Sequence, residues 1–312
     1  MKLSLLVGVF AVVLASCGLP GTAPKPHNRL FGQIVGSSSS QGALLFAGVT
    51  GTSASSDAWS WDGGSWHQLA GSTPDLIGAV AAQTAQGGIL VFKPGVPRLI
   101  QSDQVFFTGS PTTFSFTSGK WTQLNPTASP HLFGKVSMAY NNTNHQDLLL
   151  GQAVGSTVEL WVWDGKDWKK LWGGDSSAVG SPQYLAAMGN GEILGMGLAT
   201  YEWLSGTWKL VTQQAPPQIA GNVSQDSAGH VLVYGAVDAN NPYRTWLFDG
   251  SKWTSYASTP GSPGLIDGAM GYDSNHNQTL YFGGEQDLSS ETLNSNNTWL
   301  WDATAHTWNQ VG

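Results

Sequence analysis

Cysteine occurs once in the 312 residues, at Cys17, so no disulfide can close within the chain. Positive charge is also scarce: 13 Lys and Arg against 20 Asp and Glu leave a net charge of -7. That balance suits neither nucleic acid nor an anionic membrane surface as a partner. Arg29, Arg98 and Arg244 are the whole arginine complement, and the seven histidines are scattered without the spacing of a metal site. The long apolar run, Leu3 to Leu14, is twelve residues and too short to span a bilayer comfortably. Gly189-Asn190-Gly191 with Gly195 lacks the glycine spacing and the following helix of a dinucleotide site. What the chain has in excess is 15 Trp and 40 Gly.

Met1 and Lys2 precede the apolar run, and Leu14-Ala15-Ser16-Cys17 follows it. These four residues resemble the lipobox of bacterial lipoprotein precursors. The resemblance implies a signal peptide over 1–16, lipid attachment at Cys17 by a thioether, and an extracytoplasmic protein of the bacterial cell envelope, held to the membrane by acyl chains. The alternative is an ordinary secretory signal in which Cys17 is incidental. Gly18 to Asn28 carries Pro20, Pro24 and Pro26 and reads as an extended tether, long enough to span on the order of 30 Å. A single domain is then expected over 29–312.

That domain is repetitive. Trp59-Ser60-Trp61-Asp62-Gly63-Gly64-Ser65-Trp66 recurs as Trp161-Val162-Trp163-Asp164-Gly165-Lys166-Asp167-Trp168 and as Trp246-Leu247-Phe248-Asp249-Gly250-Ser251-Lys252-Trp253. Degenerate copies are Phe114-Ser115-Phe116 with Trp121, Tyr201-Glu202-Trp203 with Trp208, and Trp299-Leu300-Trp301-Asp302 with Trp308. The final Trp falls at 66, 121, 168, 208, 253 and 308, intervals of 55, 47, 40, 45 and 55 residues that fit propeller blades. A hairpin precedes each unit, clearest at Gly268 to Gly284, so each unit reads as four strands, A to D. Alternate residues of a strand share a face, so Trp59 and Trp61 form one aromatic slab against a neighbouring blade. Glycine- and alanine-rich A strands suit the narrow centre of a ring and the indoles its wide rim.

With Gly-Gly closing strand B, paired aromatics in strand C and Trp opening strand D, the chain resembles kelch-repeat proteins. The resemblance implies an all-β fold, a six-bladed β-propeller of four-stranded antiparallel blades like the central domain of galactose oxidase. Blades are expected near 29–75, 76–130, 131–182, 183–218, 219–264 and 265–312. Gly-Gly is intact only at Gly283-Gly284, weakened to Ala47-Gly48, Lys93-Pro94-Gly95, Gly151-Gln152 and Tyr234-Gly235 elsewhere, and the fourth blade is abbreviated.

Catalytic readings fare poorly. Copper enzymes of the galactose-oxidase type need a cysteine joined to tyrosine, and Cys17 is committed elsewhere. Sialidases need an arginine triad and Asp boxes, and Ser224 to Gly229 imitates a box without its Trp. Asp273-Ser274-Asn275-His276-Asn277 opens like a calcium loop but has Gln278 and Gly284 where Gly and Glu belong, so it reads as a plain turn. Asp62, Asp164, Asp249 and Asp302 read as turn residues. Fourteen of the fifteen Trp occupy repeat positions; Trp172 alone lies off the lattice, as a ligand platform or as local filling.

Long B–C connections at Val49 to Asp57, Val96 to Thr112 and Glu285 to Asn297 share one face with the D–A loops, and variable loops on a rigid scaffold are where recognition sits. Candidate contacts there are Arg98, Asp103, Tyr243, Arg244, Glu285 and Asp287, with merely solvated loops as the alternative. The leading expectation is a membrane-anchored, non-catalytic binding or scaffolding module for a protein or a polysaccharide, with no cofactor and no metal. A carbohydrate-active enzyme using carboxylates on the same face is the alternative, and a purely structural envelope protein a third.

Overall fold

The computed structural model describes residues 24–37, 42–100, 104–153, 157–175, 182–215, 222–235, 243–288 and 291–311. Along the chain the strands are β1 (Gln33–Val35), β2 (Leu44–Phe46), β3 (Val49–Thr50), β4 (Ser53–Ala54), β5 (Trp59–Trp61), β6 (Trp66–Gln68), β7 (Val80–Gln83), β8 (Ile89–Lys93), β9 (Val96–Ile100), β10 (Gln104–Thr108), β11 (Thr112–Thr117) and β12 (Lys120–Leu124). They continue as β13 (Leu132–Asn141), β14 (Gln146–Ala153), β15 (Thr157–Trp163), β16 (Trp168–Asp175), β17 (Tyr184–Ala187), β18 (Ile193–Met196), β19 (Thr200–Leu204), β20 (Thr207–Thr212), β21 (Asn222–Gln225), β22 (Val231–Gly235), β23 (Arg244–Phe248) and β24 (Trp253–Ala257). The last are β25 (Ala269–Asp273), β26 (Gln278–Phe282), β27 (Glu285–Leu288), β28 (Glu291–Asn294), β29 (Thr298–Asp302) and β30 (Thr307–Val311).

Hydrogen bonding gathers them into six four-stranded antiparallel sheets and three separate two-stranded hairpins. In each four-stranded sheet the order across the sheet is A-B-C-D. The innermost strands β1, β7, β13, β17, β21 and β25 neighbour one another in that order, and β25 returns to β1, so the sheets close as the six blades of a propeller.

Each core cluster belongs to one junction between blades. Trp59, Trp61 and Trp66 of blade one bury against Ala269, Leu280 and Phe282 of blade six, while Phe46 of blade one meets Phe114 and Phe116 of blade two. The aromatic pair of every strand C therefore faces the preceding blade. Burying indoles of this size contributes a few kcal/mol each, about 1.5–3.

A second, polar repeat threads through these junctions. The Trp that opens strand D donates its indole N–H to a Thr that opens the aromatic pair of the preceding blade: Trp66 to Thr298 at 2.8 Å, Trp168 to Thr113 at 3.0 Å, Trp253 to Thr200 at 2.7 Å and Trp308 to Thr245 at 2.9 Å. The remaining blades hold Ala58 and Leu160 at that position. Facing Leu160, the buried indole nitrogen of Trp208 has no partner among the described residues. We expect Thr245→Val, which keeps shape and removes the acceptor, to cost about 1–3 kcal/mol in a denaturant titration. Removal of a hydroxyl that mattered only for its volume would leave stability unchanged.

The turns follow their residues. Asp62, Asp164, Asp249 and Asp302 each accept two backbone N–H groups from the residues two and three positions on, which closes the C–D hairpin. Asn141 does the same for Thr143 and Asn144 in the A–B turn of blade three, and Asp273 accepts from Asn275 in that of blade six. The long B–C connections, expected as loops, each carry one extra hairpin, β3–β4, β9–β10 or β27–β28. Strand β10 leans on β13 of the next blade.

Candidate functional site

Every strand A runs from the D–A connection toward the A–B turn, so the residues that open the six A strands ring one mouth of the central channel, on the face carrying the three extra hairpins. Gln33, Val80, Tyr184, Asn222 and Ala269 open five of them, and Lys135 stands early in the sixth. In blade three the register slips between Phe133 and Val136, a bulge that contains Lys135. Lys135 Nζ donates to the Tyr184 hydroxyl at 2.6 Å and sits 5.1 Å from the centre of its ring. Asn222 Nδ2 donates to the Gly268 carbonyl at 2.9 Å.

Across the ring, where blade six meets blade one, the mouth is acidic and aromatic. Phe31 and Asp267 precede the A strands of blades one and six, both with left-handed backbone at φ 56° and 57°. The Phe31 N–H donates to the Asp267 carbonyl at 2.6 Å, so the two entrances are tied together. Phe31 leaves 52% of its surface exposed. Ile266 and Glu285 exchange two backbone hydrogen bonds of 2.9 Å, which sets Glu285 beside Asp267. Burial, with a further contribution from the Glu285 charge, lifts the Asp267 carboxyl to about 6.

Of the residues singled out in the sequence, Glu285 is at this mouth. Arg98 lies on β9 and Asp287 on β27, in two of the extra hairpins. Arg244 opens β23, half-buried, with Nη1 3.3 Å from the Ser255 hydroxyl. Tyr243 stacks on Tyr234 at 6.2 Å between ring centres. Trp172 stands on the outermost strand of blade three, half-buried and edge-on to Trp208 at 6.3 Å, so it fills the space between blades three and four. Cys17 and Asp103 lie outside the described residues.

Phe31, Lys135, Tyr184 and Asp267 were not singled out. A signal for some of them existed in the chain: Leu30-Phe31-Gly32, Leu132-Phe133-Gly134 and Ile266-Asp267-Gly268 mark three equivalent strand entrances.

No known protein family and no curated protein matches the chain. Among solved structures it is similar to the SapL1 lectin in complex with alpha methyl fucoside, at 14% identity over 90% of this chain and 95% of that one, with a TM-score of 0.52. It is likewise similar to a mutant Aleuria aurantia lectin in complex with Fucalpha1-6GlcNAc, at 14% identity over 92% of this chain and 97% of that one, with a TM-score of 0.57. The likeness is one of fold: the chain is a six-bladed β-propeller.

Proposed function

We propose that the protein is a non-catalytic binding module that captures a polysaccharide over the loop-face mouth of its channel. The observation that carries this reading is the exposed Phe31 beside Asp267 and Glu285. An aromatic face covers the C–H face of a sugar ring, and carboxylates accept its hydroxyls. That the similar solved propellers are lectins bound to fucosides supports a sugar over a protein as the ligand. The aromatic doublets and Gly283-Gly284 support a kelch-type repeat, and Leu14-Ala15-Ser16-Cys17 supports attachment to a bacterial membrane through Cys17.

The reading is tested by screening the purified chain against a glycan panel and measuring affinity for whatever binds. Phe31→Ala and Asp267→Asn, with melting temperatures unchanged, should each weaken capture at least tenfold. Capture by both variants as tight as wild type, or no glycan bound at all, would overturn it. One observation favours a second reading: two neighbouring carboxyl groups, one of them held protonated nearer neutrality, also begin a glycoside hydrolase site. Release of reducing ends from the same panel, abolished by Asp267→Asn, would support that instead.

A further inference from the structure

Resting on that reading of the mouth, we infer that the ligand is a mixed acidic–neutral polysaccharide: one acid group seats on Lys135, and uncharged sugars meet Phe31, Asp267 and Glu285 across the channel.

Three observations lead there. Lys135 is held in place, because the Tyr184 hydroxyl takes one of its three donors at 2.6 Å. That support is uncharged. Lys93, Lys169 and Lys170 are each paired with a carboxylate, Asp75, Asp164 and Glu159 respectively, whereas Lys135 has no carboxylate partner among the described residues. An ammonium already ordered and, among the described residues, neither neutralised nor held through its other two donors is prepared for an anion at little further entropic cost.

The second observation is where this cation stands. In a ring of six, the junction of blades three and four lies opposite that of blades six and one, so the cation at Lys135 and the carboxyls at Asp267 and Glu285 occupy opposite walls of one mouth. A ligand lying across the opening meets attraction for negative charge at one end only. The third is the overall charge of -7, which gives a polyanion no general attraction. A polymer with an acid on every residue would place charge against Asp267 and Glu285 and be rejected; one with isolated acid groups fits both walls.

The experiment uses pairs of oligosaccharides, glucuronoxylan and acidic galactan fragments among them, that differ by one uronic acid, with monosulfated counterparts to separate carboxylate from sulfate. Oligogalacturonides serve as the uniformly charged case. Wild type should bind the member carrying one acid group at least tenfold tighter than its neutral twin, with the gap closing as salt rises from 50 to 500 mM, roughly the range over which the screening length falls below 5 Å. It should bind oligogalacturonides no better than the neutral twin. Lys135→Gln should erase the gap while leaving neutral binding unchanged, and Tyr184→Phe should narrow it. Lys135 is exposed and Tyr184→Phe keeps the ring that packs on the core, so the fold tolerates both substitutions. Equal binding of acidic and neutral twins, or a gap that survives Lys135→Gln, overturns this inference and leaves the mouth as a glycan site. Absence of any saccharide binding overturns the reading it rests on.

Discussion

An Asp147→Asn variant should be more stable than the wild-type protein by about 3–5 kcal/mol at pH 8.5 and nearly equal to it at pH 4. Asp147 lies on β14, across from Trp163, the second aromatic of its doublet, and faces blade two. The residues at the same register in blades two, five and six are Ile89, Val231 and Thr279, all buried. Thr279 earns its place by donating to the Gln225 carbonyl of the preceding blade at 2.7 Å. Asp147 is 5% exposed, and its Oδ1 has no hydrogen-bond partner among the described residues.

Burial without a compensating donor raises the carboxyl to about 8. The folded chain thus prefers the protonated acid, whereas the unfolded chain releases its proton near 3.8. Stability is full below the unfolded value and is lost progressively as pH rises from about 4 to about 8, then levels off. Tyr140, across the ladder from Asp147, has its hydroxyl raised by burial and by the Asp147 charge, so it stays neutral through that window. Denaturant titrations of the two proteins at pH 4, 6, 7 and 8.5 measure the difference directly. A stability gap that does not change with pH would show that the carboxyl is not held neutral.

The architecture was legible because its signal is local and repeated. An aromatic pair two residues apart and a Trp just after the turn occupy the same places in every sheet, and Trp61 meets Trp66 at 5.1 Å as Trp163 meets Trp168 at 5.3 Å and Trp203 meets Trp208 at 5.1 Å. Even where Gly-Gly has drifted, the backbone persists: Ala47 and Gly48 keep the left-handed φ of 58° and 86° found at Gly283 and Gly284, 73° and 92°.

What depends on a partner in another blade was not legible. Thr113, Thr200, Thr245 and Thr298 look like ordinary β-branched strand residues until each is seen to receive an indole from the next sheet. The mouth is assembled from the entrances of six strands far apart in sequence, so Lys135 and Tyr184, 49 positions apart, gave no sign of meeting. Trp172, off the repeat lattice, is explained by the register slip between Leu160 and Trp161, which pairs Trp172 with Leu160 and turns it toward Trp208. The extra hairpins were missed because Val96 to Thr108 offers pairing residues interrupted by Pro97, a sign more often of irregular chain.

Asp57→Ala should destabilise the protein by about 3–5 kcal/mol and should cost ligand capture as well. Blade one draws all four strands from Gln33–Gln68 and blade six all four from Ala269–Val311, so no strand is shared where the ring closes. Closure rests on side chains and on the segment before β1. There Arg29, 1% exposed, donates from Nη2 to Asp57 at 2.8 Å and from Nη1 to the Ala47 carbonyl at 3.3 Å, while its own carbonyl accepts the Gly284 N–H of blade six at 3.2 Å. Asp57 also accepts the Trp59 indole at 2.6 Å.

Burial pulls the Arg29 guanidinium below its ordinary value and Asp57 opposes that pull, so removing Asp57 leaves a buried cation without a counter-charge. Removing both charges together leaves none. Arg29→Met with Asp57→Leu should therefore recover most of the stability lost by Asp57→Ala, which a denaturant titration of the two variants decides. Two residues after Arg29 stands Phe31, tied to Asp267 across the same seam. Hydrogen exchange in Asp57→Ala should accelerate at the Phe31 and Gly284 amides ahead of those in β14 and β22, and sugar binding should fall with it. Exchange that quickens uniformly around the ring would mean that closure is not localised at this ion pair.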